Sequence, residues 1–222
     1  MISDFVGTDR LLWWEQIAEI MHNTHRSALD LQVVVPGLYQ AENITNVLPM
    51  RDNSERDYAY RQLCACIRKQ PHLDIPLHMK HVGEYFDASI REQGRRYGLM
   101  NWQQLNDLVG QGFDIGGHTA THCNVVGADE ALLQKELIKS VNDIEAKLDT
   151  PVESFAYPYG IYEKSSDVVD NLLARTNCKA AYTTVRGVVN TSLPANELPR
   201  IQLNRPYDFA CAFNIQNALH RT

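Results

Sequence analysis

Gly112-Phe113-Asp114-Ile115-Gly116-Gly117-His118-Thr119-Ala120-Thr121-His122 is the stretch on which the reading of this chain turns. Phe113, Asp114 and Ile115 are expected to lie in a buried strand that runs through two glycines into a pair of histidines with three residues between them. Where a chain bends past a strand end, two imidazoles at this spacing can turn toward one point, and neutral imidazole is the commonest protein ligand for zinc. The spacing alone is a weak signal, because a histidine in such a place also satisfies a turn or caps a helix. Its meaning depends on the rest of the chain.

Of the 222 residues, 44% are hydrophobic and 22% charged, a composition that suits one globular domain over 1–222 with a substantial core. The formal charge of −6 argues against nucleic acid as a partner, since phosphate binding needs a basic face. Five cysteines, with Cys64 and Cys66 in a helical-looking stretch, give no disulfide framework and no four-ligand zinc pattern. The sequence as written opens without a basic, apolar leader, and no run approaches the roughly 18 apolar residues of a membrane span. A cytoplasmic location and no membrane span are the expectations from this.

A helix is expected from about Arg10, capped by Thr8-Asp9, with Leu11, Leu12, Trp14, Ile17, Ala18 and Met21 as its apolar stripe. Leu31 to Val35 reads as a short strand stopped by Pro36-Gly37, and residues 54–69 and a run around 82–86 read as helices. Residues 22–97 are therefore expected to form a helical insertion within the domain. His78 and His81 share one helical face, but with Lys80 between them and no acidic partner placed nearby they are read as structural. Downstream, the pattern predicts helices over 101–109, 129–148 and 167–175, strands over 154–157, 180–185 and 198–203, and a closing helix from Ile215 to Leu219. Strand alternating with helix predicts an α/β fold with a mainly parallel sheet or barrel and its active residues at the C-terminal strand ends. His118 and Tyr159 occupy such ends.

His118-Thr119-Ala120-Thr121-His122 resembles the H-[ST]-x-x-H motif of the polysaccharide deacetylases, carbohydrate esterase family 4 or NodB-like domains. Phe155-Ala156-Tyr157-Pro158-Tyr159-Gly160 resembles a further motif of that family, and Asp9 to Gln16 resembles a segment following its second barrel strand. The resemblance covers about residues 1–16 and 99–204. It implies a distorted (β/α) barrel, a metal-dependent hydrolase acting on the amide of N-acetylated amino sugars in a cell-surface or exported glycan, and a divalent metal, zinc by ligand type, on His118 and His122. It further implies that Tyr157, Pro158 and Tyr159 line a substrate groove, that the Tyr159 backbone N–H serves the oxyanion, and that Arg200 orients a catalytic carboxylate.

The family's T-F-D-D-G motif, which supplies a general base and the third metal ligand, has no counterpart, and the sequence holds no Asp-Asp pair. Asp4 stands at a different place in the order of elements. Leu203-Asn204-Arg205 lies where the family has L-x-H, and Leu219-His220 has the wrong spacing, so the general acid is unassigned. The expectation is a barrel incomplete at its N-terminus, a metal site short of its third ligand, impaired hydrolysis, and self-association as a homo-oligomer through the open seam. The alternatives are a catalytically silent member binding carbohydrate or protein, and a different amide hydrolase on the same scaffold.

Overall fold

The computed structural model describes residues 1–36, 47–70, 74–94, 98–160, 167–190 and 192–201. The expected closing helix, Leu203-Asn204-Arg205, Leu219-His220 and the last two residues of the expected strand over 198–203 lie outside these residues; in the described part of that strand only Leu198 pairs, as a single bridge to Tyr182. The chain divides into two compact units, one formed by Thr8–Gly98 and one by Met1–Gly7 with Leu99–Thr222.

The Thr8–Gly98 unit holds helices α1 (Trp13–Asn23), α2 (Leu31–Val34), α3 (Asn53–Arg68) and α4 (Ile75–Phe86), with an antiparallel ladder of β1 (Ala28–Asp30) and β2 (Val47–Pro49). Helix α1 begins three residues later than expected, because the Glu15 carboxylate accepts the Leu12 N–H (2.8 Å) and fixes the first turn there. Its buried face is Ile17, Ile20 and Met21, while Ala18, placed on the apolar stripe by the sequence pattern, is exposed. The expected strand at 31–35 is instead a helical turn. Asp30 accepts the N–H groups of Gln32 (3.0 Å) and Val33 (3.4 Å), which satisfies the orphan donors of a helix start and draws the β-branched run out of extended backbone. Ile17, Leu29, Leu31, Val34, Met50, Leu63, Ile67 and Val82 belong to one buried core.

The other unit carries α5 (Trp102–Gly110), α6 (Glu130–Leu133), a π-helical stretch (Gln134–Lys139), α7 (Ser140–Leu148), β3 (Ser154–Ala156), α8 (Asp167–Leu173) and β4 (Ala180–Tyr182). Asn101 and Gln104 exchange reciprocal side-chain bonds to backbone N–H groups (2.9 Å each), the capping box that starts α5. Helix α7 ends at Leu148 with Asp149 left-handed (φ 49°), two residues before Pro151. Leu133, Leu137, Phe155, Tyr157, Leu172 and Ala181 form one cluster, and Leu105, Val141, Ile144, Leu148 and Val152 a second.

β3 and β4 pair in parallel with Phe155 opposite Ala181, and single parallel bridges add Gly117 beside Phe155 and Leu198 beside Tyr182. The expected mix of helix and sheet holds, but the expected distorted, N-terminally incomplete barrel is not seen among the described residues, whose sheets are two-stranded ladders. The buried strand expected over Phe113, Asp114 and Ile115 to lead into the histidines is not formed. Gly112 turns left-handed (φ 87°) and the N–H of Phe113 returns to the Leu108 carbonyl (3.0 Å), so these residues finish α5 and leave Phe113 57% exposed. Only at Gly117 does the chain join the ladder, bonded to Ser154 O (2.8 Å) and Ala156 N (2.9 Å). No helix among the described residues is long and apolar enough to cross a membrane.

Candidate functional site

The site is built at the C-terminal edge of the β3 ladder, where Gly117 delivers the chain into His118. The double glycine is a packing requirement. A Cβ on Gly116 would stand 2.6 Å from Ser154 Oγ, and one on Gly117 would stand 2.8 Å from the Phe155 ring. The loop that follows folds back on itself, with left-handed backbone at Thr119 (φ 61°) and His122 (φ 65°). Thr119, fully buried, accepts the Cys123 N–H on its hydroxyl (3.0 Å) and closes the turn.

This fold-back brings His118 and His122 together. Their ring centres are 4.8 Å apart with the planes nearly perpendicular, and the Tyr159 ring stands edge-on to His122 at 4.6 Å. His118 Nδ1 lies 2.6 Å from the Ala156 carbonyl, an acceptor only, so Nδ1 carries the proton and Nε2 keeps its lone pair. Burial pushes the His118 pKa below its ordinary value of 6.5, the Ala156 bond acts in the opposite sense, and the charge of Arg200 adds to the lowering. The imidazole is thus held neutral, the form that ligates metals.

Tyr159 adopts φ 60° and ψ −2° within the turn Pro158–Gly160. Gly160 follows at φ 66°, with its would-be Cβ inside the Thr184 side chain, so the turn is pressed against the end of β4. Tyr157, read from the sequence as groove wall, has 0% exposure and donates its hydroxyl to Asn196 O (2.9 Å). Pro158 is buried too. Both therefore lie beneath the surface, and Tyr159, half-buried, is the residue of that motif that stands against the histidines. Arg200 is exposed, with Nε donating to Thr183 O (2.6 Å) and its own N–H to Val185 O (2.9 Å).

Among the described residues, no three of His, Cys, Asp and Glu come together as a metal-holding group, and Asp4 does not join the histidine pair. A residue that sequence reasoning missed is Glu136, buried in the π-helical stretch and bonded to the loop between the histidines. The helix expected over 129–148 gave it no role. The available signal was its position three residues after Leu133 and four before the small residue Ser140, on the inner side of the turn.

Residues 77–180 match the sequence profile of the family described as polysaccharide deacetylase. Similar solved structures include the Streptococcus pyogenes deacetylase PplD in complex with acetate, 20% identical over 67% of this chain and 66% of that one, with a TM-score of 0.48. IcaB from Ammonifex degensii is 20% identical over 66% of this chain and 70% of its own, at a TM-score of 0.44. A polysaccharide deacetylase from Bacillus cereus is 19% identical over 59% of this chain, which spans 44% of that protein's length, at a TM-score of 0.42. No curated protein matches the chain.

Proposed function

We propose that this chain, whose residues 77–180 match the family model described as polysaccharide deacetylase, acts on the acetamido bond of N-acetylated amino sugars in a glycan, with His118 and His122 holding a divalent metal ion. The observation that carries this reading is the meeting of the two imidazoles beside Tyr159, with the His118 tautomer set by Ala156. Two imidazoles on one zinc at about 2.0–2.1 Å and a near-tetrahedral angle place their ring centres about 5 Å apart. The separation of 4.8 Å here fits that arrangement, and two neutral nitrogen donors suit zinc.

Such an ion, when bound, supplies Lewis-acid polarisation of the acetamido carbonyl and an acidified water. The chain's own residues set the geometry around it. His118 is held by Ala156, His122 is backed by the Tyr159 ring, and the Tyr159 backbone N–H serves the developing oxyanion. Arg200, anchored on Thr183 O, contributes positive charge toward His118. Without a third ligand or a carboxylate base beside the pair among the described residues, hydrolysis by this chain is weak, since a general base typically contributes about 10²–10⁴-fold. The barrel expected from the family is kept as part of this proposal.

The same lack of a three-residue group favours a second reading, a member that binds glycan without cleaving it. One experiment separates the two. Acetate release from N-acetylglucosamine oligomers is measured with added zinc or cobalt, alongside oligomer binding, for the unaltered chain, His118→Ala and His122→Ala. A small metal-dependent release abolished in both variants supports hydrolysis, and oligomer binding with no release supports the silent member. Release that is unchanged in both variants would remove the histidine pair from the chemistry.

A further inference from the structure

We propose that Glu136 is the positioning residue of the histidine loop: through Thr121 it holds His118 and His122 in the converging arrangement that takes a metal ion. This rests on the metal-binding reading above. Glu136 is 2% exposed. A carboxylate in such a place costs several kcal/mol to desolvate unless hydrogen bonds replace its water, so the bonds it makes determine what it is for. Both oxygens go to a single loop residue. Thr121 donates its backbone N–H to Oε2 (2.9 Å) and its hydroxyl to Oε1 (2.9 Å), while the Glu136 backbone carbonyl accepts the N–H of Ala120 (3.1 Å).

One helical residue thus grips two successive residues of the segment between the ligands. The grip comes from the π-helical stretch Gln134–Lys139, set between two α-helical segments. Single π turns inside helices mark functional sites, because the widened turn re-aims a side chain and a carbonyl.

The loop needs such a grip. Thr119 and His122 both sit in left-handed backbone, which costs non-glycine residues roughly 1–2 kcal/mol each. Without an opposing hold, the loop relaxes toward ordinary backbone and the imidazoles separate. Charge-assisted bonds from a carboxylate to an N–H and a hydroxyl are the stronger class of hydrogen bond and supply that hold. Thr119 ties the loop to itself, and Thr121 ties it to the helix.

The test uses the full chain with cobalt(II) as the probe. Glu136→Leu keeps the bulk and removes both acceptors, so the Thr121 N–H and hydroxyl lose the carboxylate. Glu136→Gln keeps one acceptor for that N–H, and its amide can donate to the Thr121 hydroxyl, which rotates to accept. Cobalt affinity is read by absorption, with the His118→Ala/His122→Ala double variant as blank, and imidazole NMR signals are read in the metal-free protein. Expected is a loss in cobalt affinity of about 10–100-fold for Glu136→Leu, the range for residues that orient metal ligands. The His118 and His122 signals should move while those of His22 and His25 stay, and Glu136→Gln should restore both readouts.

Thr121→Val, which removes only the hydroxyl, is expected to move the same signals by less and serves if Glu136→Leu does not fold. Unmoved histidine signals in Glu136→Leu, or in Thr121→Val where the former does not fold, would overturn the proposal. A Glu136→Gln variant as impaired as Glu136→Leu would overturn it too. If the unaltered chain binds no cobalt, the metal-binding reading fails, and the metal-free signals still decide the role of Glu136.

Discussion

Gly116, Gly117 and Gly160 show how closely backbone is packed where the histidine loop and the Tyr159 turn meet the β3 and β4 ladder. The double glycine is conspicuous in the sequence as a place where the chain can approach closely. The structure shows proximity at Gly117, whose Cβ would meet Phe155 at 2.8 Å, and proximity with left-handed backbone at Gly160, where φ is 66° and a Cβ would stand 2.0 Å from the Thr184 side chain. Gly117→Ala should therefore destabilise the unit by about 1–3 kcal/mol, the usual range for overpacking. Gly160→Ala adds left-handed strain to a closer clash and should cost more. Urea unfolding of the two variants checks the order; equal stability to the unaltered chain at Gly160 would contradict it. His118 and His122 were legible because imidazoles at that spacing are a recognisable ligand pattern. Glu136 was not, because a glutamate in a helix reads as solvated until a turn is known to be widened and facing inward.

Elements whose ends are set by local chemistry were read correctly, and those decided by a competing local bond were not. Helix α3 follows its pattern and starts at the Asp52 cap, which accepts the Glu55 N–H (2.9 Å). The Val33-Val34-Val35 run looked like a strand because three β-branched residues favour extended backbone, yet the Asp30 carboxylate turned it into a helix. Helix α4 carries the sharpest consequence at this scale. His78 is 6% exposed, and neither ring nitrogen has a hydrogen-bond partner among the described residues.

Burial lowers the His78 pKa below its ordinary 6.5, with Asp74 acting to raise it and His81 to lower it further. The sign follows directly. The unfolded chain takes up the proton first, so the stability of the Thr8–Gly98 unit is fully present above about pH 6.5 and falls as pH drops through the depressed folded-state value. His78→Leu should flatten that acid dependence without loss at neutral pH, since it removes a buried, unbonded polar group at similar volume. Urea midpoints between pH 7.5 and 5 test this, and parallel slopes for both proteins would refute it.

At the scale of the whole molecule, the sequence pattern reads as one domain with an insertion over 22–97, and the structure divides into two compact units, of which Thr8–Gly98 includes α1. Periodicity shows which face of a helix is buried but not which core it is buried in. The helix α1 residues Ile17, Ile20 and Met21 pack with Leu63, Ile67 and Val82, all inside that unit, while Leu133, Leu137, Phe155 and Leu172 form a cluster within the other. Cores made of separate residue sets can open as separate cooperative units, and native-state hydrogen exchange resolves them amide by amide. Leu63→Ala and Leu137→Ala each empty a fully buried site, at a cost of about 2–5 kcal/mol. Leu63→Ala should lower protection of the α3 and α4 amides by that amount and leave the α7 amides as they were, and Leu137→Ala should do the reverse. An equal drop across both units from either variant would mean that the chain opens as one body, and the division into two units would then describe its packing but not its stability.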